Sequence, residues 1–355
     1  MGTIAFLRSI LYPPLSPNSR YAASSDPLVE LYGPAGLRLF VRQNLKLTAT
    51  RTAHKYVVHE LLTISDSMTP CLPTPDGAYP SALATQPDIM HPSECVGRDI
   101  RASENGLWIG ITEAMGCAKA KVVVDAGPIL HRDPCIGYTF TEQASPFRKL
   151  VILGDTYDPS AMQPLCSNPP PALLIHEATD SHIAPEADIV GKLSKRTKEE
   201  VREKALERGH SVPEMAGAFA KKVEAGMLVM NHIGSRFPAP RHARDHWRNS
   251  IMGDIERKAT EAWGVPGKRA RAAWDFMQVE VPVPRVPIPV NAFEVIQTDL
   301  DMDFEVDEEV EVVSQRDESE EGEFEGDEDE GMVDVGDAPS IARVPNFPIP
   351  GRGGR

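Results

Sequence analysis

Four short runs rich in β-branched residues lie in succession: AKVVVDAGPILH (120–131), CIGYTFTE (135–142), RKLVILGDTY (148–157) and PALLIHEATD (171–180). Each ends in polar or chemically active residues. Near-continuous apolar strands of this length need cover on both faces, which restricts the chain to a layered α/β architecture. The flanking segments extend that pattern. LVELYGPAGL (28–37) reads as a strand and a Gly-Pro turn, GLRLFVRQNLKLT (36–48) as a helix and KYVVHELLT (55–63) as a strand. Residues 66–105, rich in Pro, Ser, Asp and Gly, read as a long loop. Downstream, a helix is expected over 196–208, and a second after Gly209-His210-Ser211, with Ser211 and Glu214 as a capping box and Met215, Phe219 and Val223 as its buried stripe. A strand at 227–233, a helix at 241–263 and a strand at 274–283 complete the pattern.

Charge divides the chain. The net charge is −15, but residues 299–337 hold 20 acidic residues against Arg316 alone, which leaves +4 for the rest. A run of like charges with few aromatics cannot bury enough surface to offset the entropy of ordering, so 299–355 reads as a disordered acidic tail behind a domain at 1–298. No stretch approaches the roughly 18 apolar residues that a bilayer span needs, so no membrane partner is expected. The apolar run in 1–15 lacks the flanks of a signal peptide and reads as core. Five cysteines, an odd count without C-x-x-C spacing, fit a reducing intracellular compartment.

The tips of the predicted strands carry the chemistry: His131, Asp155, His176-Glu177 and His232. Side chains at the C-terminal ends of strands converge on a shared crevice in α/β folds. Imidazole nitrogen with carboxylate oxygen is the donor set of a catalytic zinc, which keeps a position open for water. His176 and Glu177 are adjacent in one strand and face opposite ways, so if Glu177 serves the site, His176 is structural. His54 and His59 read as packing or turn residues. His242 and His246 stand four apart on the predicted last helix, where a solvated basic face is the plainer reading, as it is for Lys192, Lys195, Arg196 and Lys198.

In order and spacing, YGPAGLRLFVRQNL (32–45), HRDPCIGYTFTE (131–142), LVILGDTYDPSAM (150–162), LLIHEATDSH (173–182), RGHSVPEMAGAFAKK (208–222) and VMNHIGSRF (229–237) resemble the tRNase Z (ribonuclease Z) family of the metallo-β-lactamase fold, most closely its short form as found in fungi. The resemblance spans about residues 27–240. It implies a four-layer αββα sandwich with two Zn2+ ions at the edge of the sheets. It implies that His131 binds the first zinc, Asp155 bridges both and His232 binds the second, with His210 as proton donor oriented by Glu177. The activity implied is hydrolytic removal of the 3′ trailer of precursor tRNA; the family usually forms homodimers, and the compartment is left open among nucleus, cytoplasm and mitochondrion.

Two features depart from the family pattern. None of the ten histidines forms the H-x-H-x-D-H motif that supplies the family's other ligands, and the reading is of a domain incomplete at its N-terminus. Only 24 positions separate His131 from Asp155, where the family inserts a tRNA-gripping arm. The expectation is therefore fewer than two zinc ions per chain. The alternative function is that of a catalytically inactive homologue which binds RNA or an active relative.

Overall fold

The computed structural model describes residues 2–11, 26–115, 121–145, 147–242 and 244–282. The acidic segment 299–355 lies outside the described residues. In chain order the elements are α1 (Gly2–Leu11), β1 (Pro27–Pro34), α2 (Leu37–Leu47), β2 (Lys55–Leu62), β3 (Glu94–Cys95), β4 (Asp99–Arg101), β5 (Trp108–Met115), β6 (Lys121–Ile129), β7 (Cys135–Glu142) and β8 (Lys149–Ile152). There follow α3 (Gln163–Cys166), β9 (Leu173–Glu177), α4 (Lys198–Glu207), α5 (Pro213–Lys222), β10 (Leu228–Asn231), α6 (His246–Trp263) and β11 (Arg271–Ala272).

Two sheets form. In the smaller, β2 pairs in parallel with β1, β3 and β4; the larger runs β11-β10-β9-β8-β7-β6-β5. The period of two along β2 sorts its side chains between layers. Tyr56 and Val58 pack with Leu7 and Leu11 of α1 and Val41 and Leu45 of α2. Leu61 faces the other way, into a cluster with Trp108 and Ile111 of β5 and Val124 and Ala126 of β6. The far side of the larger sheet buries Val151 and Leu174 against Phe219 of α5 and Ile251, Ile255 and Trp263 of α6. Helices, sheet, sheet, helices: the layering is the αββα sandwich expected from the sequence. The apolar run near the start belongs to the core, with Leu7 and Leu11 at 0% exposure.

The segment 66–105 departs from the loop reading. It contains a short 3₁₀ turn at Pro80–Leu83 and the strands β3 and β4. It is held by cations on the buried face of α2. The Arg38 guanidinium donates to the carbonyls of Val58, Thr69 and Arg98. Arg42 makes a two-pronged bond to Glu94 at 2.8 and 2.7 Å and donates to the carbonyls of Pro70 and Pro87. Lys46 Nζ donates to the carbonyls of Gln86 and Ile89. A chain lacking sheet partners still has backbone carbonyls to satisfy, and here three long side chains satisfy them.

Three further expectations are corrected. Strand pairing near the C-terminal end covers only Arg271–Ala272, and 274–282 forms no strand; Pro282 removes a donor there, and Pro284 follows just beyond the described residues. The last helix begins at His246 rather than 241, behind Pro238 and Pro240, with Asp245 accepting from the Arg248 N–H, so His242 is not on it and the four-residue histidine spacing has no helical meaning. The capping box at Ser211 does not form. Val212 is the N-cap, Pro213 opens α5, and the Ser211 hydroxyl donates to the Thr156 carbonyl at 2.6 Å. A capping box does start α4, between Thr197 and Glu200.

Candidate metal and acid–base centre

Strand direction assembles the site. β8, β9, β10 and β11 are mutually parallel, and β6 runs with them because β7 is antiparallel to both β6 and β8. The C-terminal ends of β6, β8, β9 and β10 therefore share one edge. His131 lies two residues beyond β6, Asp155 three beyond β8, Glu177 ends β9 and His232 directly follows β10. His210 arrives from the other direction, on the turn between α4 and α5. Gly209 makes that approach possible: its φ is +82°, and a Cβ there would stand 2.5 Å from the Arg132 nitrogen and 2.7 Å from the His131 ring.

Glu177 is the hub, at 0% exposure. Its Oε1 accepts from the Thr156 N–H at 2.9 Å and from His210 Nδ1 at 2.9 Å. Its Oε2 accepts from the N–H of Thr179 at 3.0 Å and from its hydroxyl at 2.6 Å. Four donors match the acceptor capacity of an ionised carboxylate, so this buried group is fully satisfied. The consequences propagate. The Thr179 hydroxyl has one hydrogen, directed at Glu177, so its oxygen receives Nδ1–H of His232 at 2.8 Å. Both His210 and His232 thereby carry hydrogen on Nδ1 and leave Nε2 unprotonated in the neutral ring, the arrangement by which outer partners fix metal-ligating and acid–base imidazoles.

The ring centroids of His131 and His232 lie 4.9 and 5.2 Å from that of His210. Donor atoms of His131, Asp155 and His210 fall within 4.8 Å of one another, as do those of Glu177, His210 and His232. Asp155 Oδ1 approaches His232 Nδ1 at 3.4 Å. His131 Nε2 is buried without a hydrogen-bond partner. An orphaned imidazole nitrogen beside a carboxylate fits a cation better than it fits solvent. His232 also has φ +53°, a left-handed conformation that costs a non-glycine residue on the order of 1–3 kcal/mol and that concentrates at functional sites. Burial pushes the Cys135 thiol up, and the nearby carboxylate of Asp155 adds to the effect.

Every site residue expected from the sequence thus meets at one edge. His176 does not join them. It is 1% exposed, its Nδ1 contacts the Glu177 carbonyl at 2.8 Å, and burial lowers its proton affinity. His59 stacks on Tyr32 at 4.5 Å, in the smaller sheet. Residue-by-residue reading missed Thr156, Thr179 and Ser211, whose hydroxyls or backbone orient the hub. Only their place next to Asp155, Glu177 and His210 in sequence hinted at it.

Comparison with known proteins gives the following. No family model matches the chain. It is 25% identical over 308 residues to zinc phosphodiesterase ELAC protein 1 of Bos taurus, covering 72% of this chain and 75% of that protein. It is 24% identical over 277 residues to ribonuclease Z of Bacillus velezensis, covering 74% of each. The crystal structure of the short form of human tRNase Z aligns over 73% of this chain and 70% of that one, at 27% identity and a TM-score of 0.44.

Proposed function

We propose, from the premise that this chain belongs to the tRNase Z family, that it is a zinc-dependent endoribonuclease which cuts the 3′ trailer from precursor tRNA, leaving a 3′-hydroxyl on the tRNA and a 5′-phosphate on the trailer. The catalytic domain is assigned to residues 1–298, with 299–355 as its acidic tail. His131, Asp155 and His232 are the residues that would hold the metal. When bound, zinc polarises a phosphoryl oxygen and lowers the pKa of a coordinated water.

The remaining steps belong to side chains. Asp155 supplies the anionic donor. Thr179 holds His232 in the tautomer whose Nε2 is free to bind. His210, clamped through Nδ1, presents Nε2 as the proton donor to the ribose oxygen that leaves. Glu177 stays behind it, bonded to Nδ1, and stabilises the imidazolium that carries the proton before transfer. His210 is 14% exposed, so solvent can return a proton after each turnover. No helix among the described residues is long and apolar enough to cross a membrane.

The observation that carries this reading is the fully satisfied Glu177 carboxylate with His210 on one oxygen and, through Thr179, His232 on the other. The test is cleavage of a precursor tRNA transcript by the zinc-treated full chain. His210→Ala should lower the rate by about 10²–10⁴-fold, the usual worth of a positioned acid, while the zinc bound per chain stays unchanged. Absence of cleavage by the unaltered chain, with RNA binding retained, would favour the inactive-homologue reading.

A further inference from the structure

The core between the two sheets has an open groove at one end. On the larger sheet, Val122 of β6 lies opposite Glu142 of β7, and Phe140 of β7 lies opposite Leu150 of β8. These four and Arg148 line a groove of about 530 Å³, and Glu280, Val281 and Pro282 form its remaining wall. Val122, Phe140 and Leu150 are each half-buried, and Phe140 continues into the cluster of Leu61, Trp108 and Val124. We propose that the groove is the docking site of this chain's own segment 283–288, Val283-Pro284-Arg285-Val286-Pro287-Ile288, which lies outside the described residues. The inference is independent of the reaction assigned above.

The described chain stops at the groove that this segment would fill. Arg148 donates through Nη1 to the Val281 carbonyl at 3.2 Å. It is itself held by Glu142, through Nε at 3.0 Å and Nη2 at 2.6 Å. The segment therefore starts from a fixed point on the groove wall.

Its composition suits an apolar groove that offers no free strand. Val281, Val283, Val286 and Ile288 each precede a proline, and a residue in that place is steered towards extended backbone. Pro282, Pro284 and Pro287 have no N–H, so those positions ask for no strand partner. Six residues reach about 19 Å as polyproline II, more than the roughly 10 Å that separates β8 from β6. Aliphatic residues interleaved with proline are what an aromatic-lined groove takes up, because little chain entropy is left to lose.

The test is limited trypsin digestion of the full chain, read by mass spectrometry. Arg-Val-Pro occurs at 285–287 and again at 343–345, so the second bond is a built-in reference for the first. Covering one aliphatic side chain is worth about tenfold in the docked population, so the bond after Arg285 should be cut at least about tenfold more slowly than the bond after Arg343. Val283→Ser with Ile288→Ser keeps Pro284-Arg285-Val286-Pro287 and leaves the groove untouched. It should raise the rate at Arg285 by about the same factor and leave the rate at Arg343 unchanged. A benzophenone side chain placed at position 140 should cross-link to 283–288 within one chain. Equal cutting at the two bonds of the unaltered chain, slow cutting at Arg285 that the double variant does not relieve, or cross-links only between two chains or only to 344–350 would overturn the assignment.

Discussion

The two helical layers both cover their sheets with apolar side chains but differ in how many buried cations they add. On α2 the buried face carries Arg38, Arg42 and Lys46 at helical spacing, each at most 1% exposed, between the apolar Val41 and Leu45. On α5 and α6 the buried face is mostly apolar, with Phe219, Ala220, Ile251, Ile255 and Ala259, and Asp254 and Lys258 are its polar exception, bonded to the 182–184 segment. The reason lies in what each layer has to hold. α5 and α6 mainly meet a regular sheet whose backbone groups are already paired, so apolar contact carries most of the cover and only Asp254 and Lys258 bond to the backbone at 182–184. α2 meets the irregular stretch around 69–99, whose carbonyls, with the carboxylates of Glu94 and Asp99, need donors. The consequence is a division of labour: the apolar half supports a rigid strand edge for the site, and the polar half depends on specific hydrogen bonds.

This contrast can be broken by substitution. The largest effect is expected from Arg42→Met, which leaves Glu94 buried without its partner and strips the Pro70 and Pro87 carbonyls; about 3–5 kcal/mol should be lost in urea unfolding. Adding Glu94→Leu should recover much of that loss, because a buried ion pair removed as a unit costs little. If the single change is nearly neutral, the polar half is not held as described. On the apolar side, Ile255→Ala at 0% exposure should cost about 2–5 kcal/mol by cavity formation, and no second change of charge should rescue it.

A smaller difference should appear with pH. Burial holds the imidazoles of His91 and His176 below the ordinary histidine value, and burial together with Arg98 does so for His59. The folded chain keeps them neutral where the unfolded chain takes up protons. Stability should therefore be full above about pH 6.5 and fall as pH drops below it. Two of the three belong to the polar half, and His91→Gln should flatten the pH dependence of the urea midpoint; a midpoint that rises on acidification would refute the assignment. The smallest effect is local: Thr197→Ala should remove the α4 cap and about 1 kcal/mol, checked by thermal melting, whereas Ser211→Ala should leave the start of α5 intact, since that serine caps nothing.

The capping boxes show where sequence reading misleads. Ser211-x-x-Glu214 has the right letters, and so does Thr197-x-x-Glu200, but only the second forms. Pro213 had already shifted the start of α5, and the Thr156 carbonyl competed for the Ser211 hydroxyl. In the same way the basic letters of α2 gave no sign that they point inward, because a helical period of charge normally marks the wet face.

What the sequence determined by itself is local and periodic: the strands at β2 and β6 to β9, the helices α2 and α4, and the delivery of His131, Asp155, Glu177 and His232 to strand ends, each following from side-chain alternation and from runs too apolar to be exposed. The tertiary structure decided the rest. It placed α2 charge-inward, since only folding brings the carbonyls of 69–98 within reach, and it made Thr179 the link between Glu177 and His232, since Thr179 and His232 lie 53 residues apart in the chain while the hydroxyl and the ring nitrogen lie 2.8 Å apart in space. Which donor meets which acceptor depends on register and on the close approaches at Gly209 and Gly234, and a linear pattern carries neither.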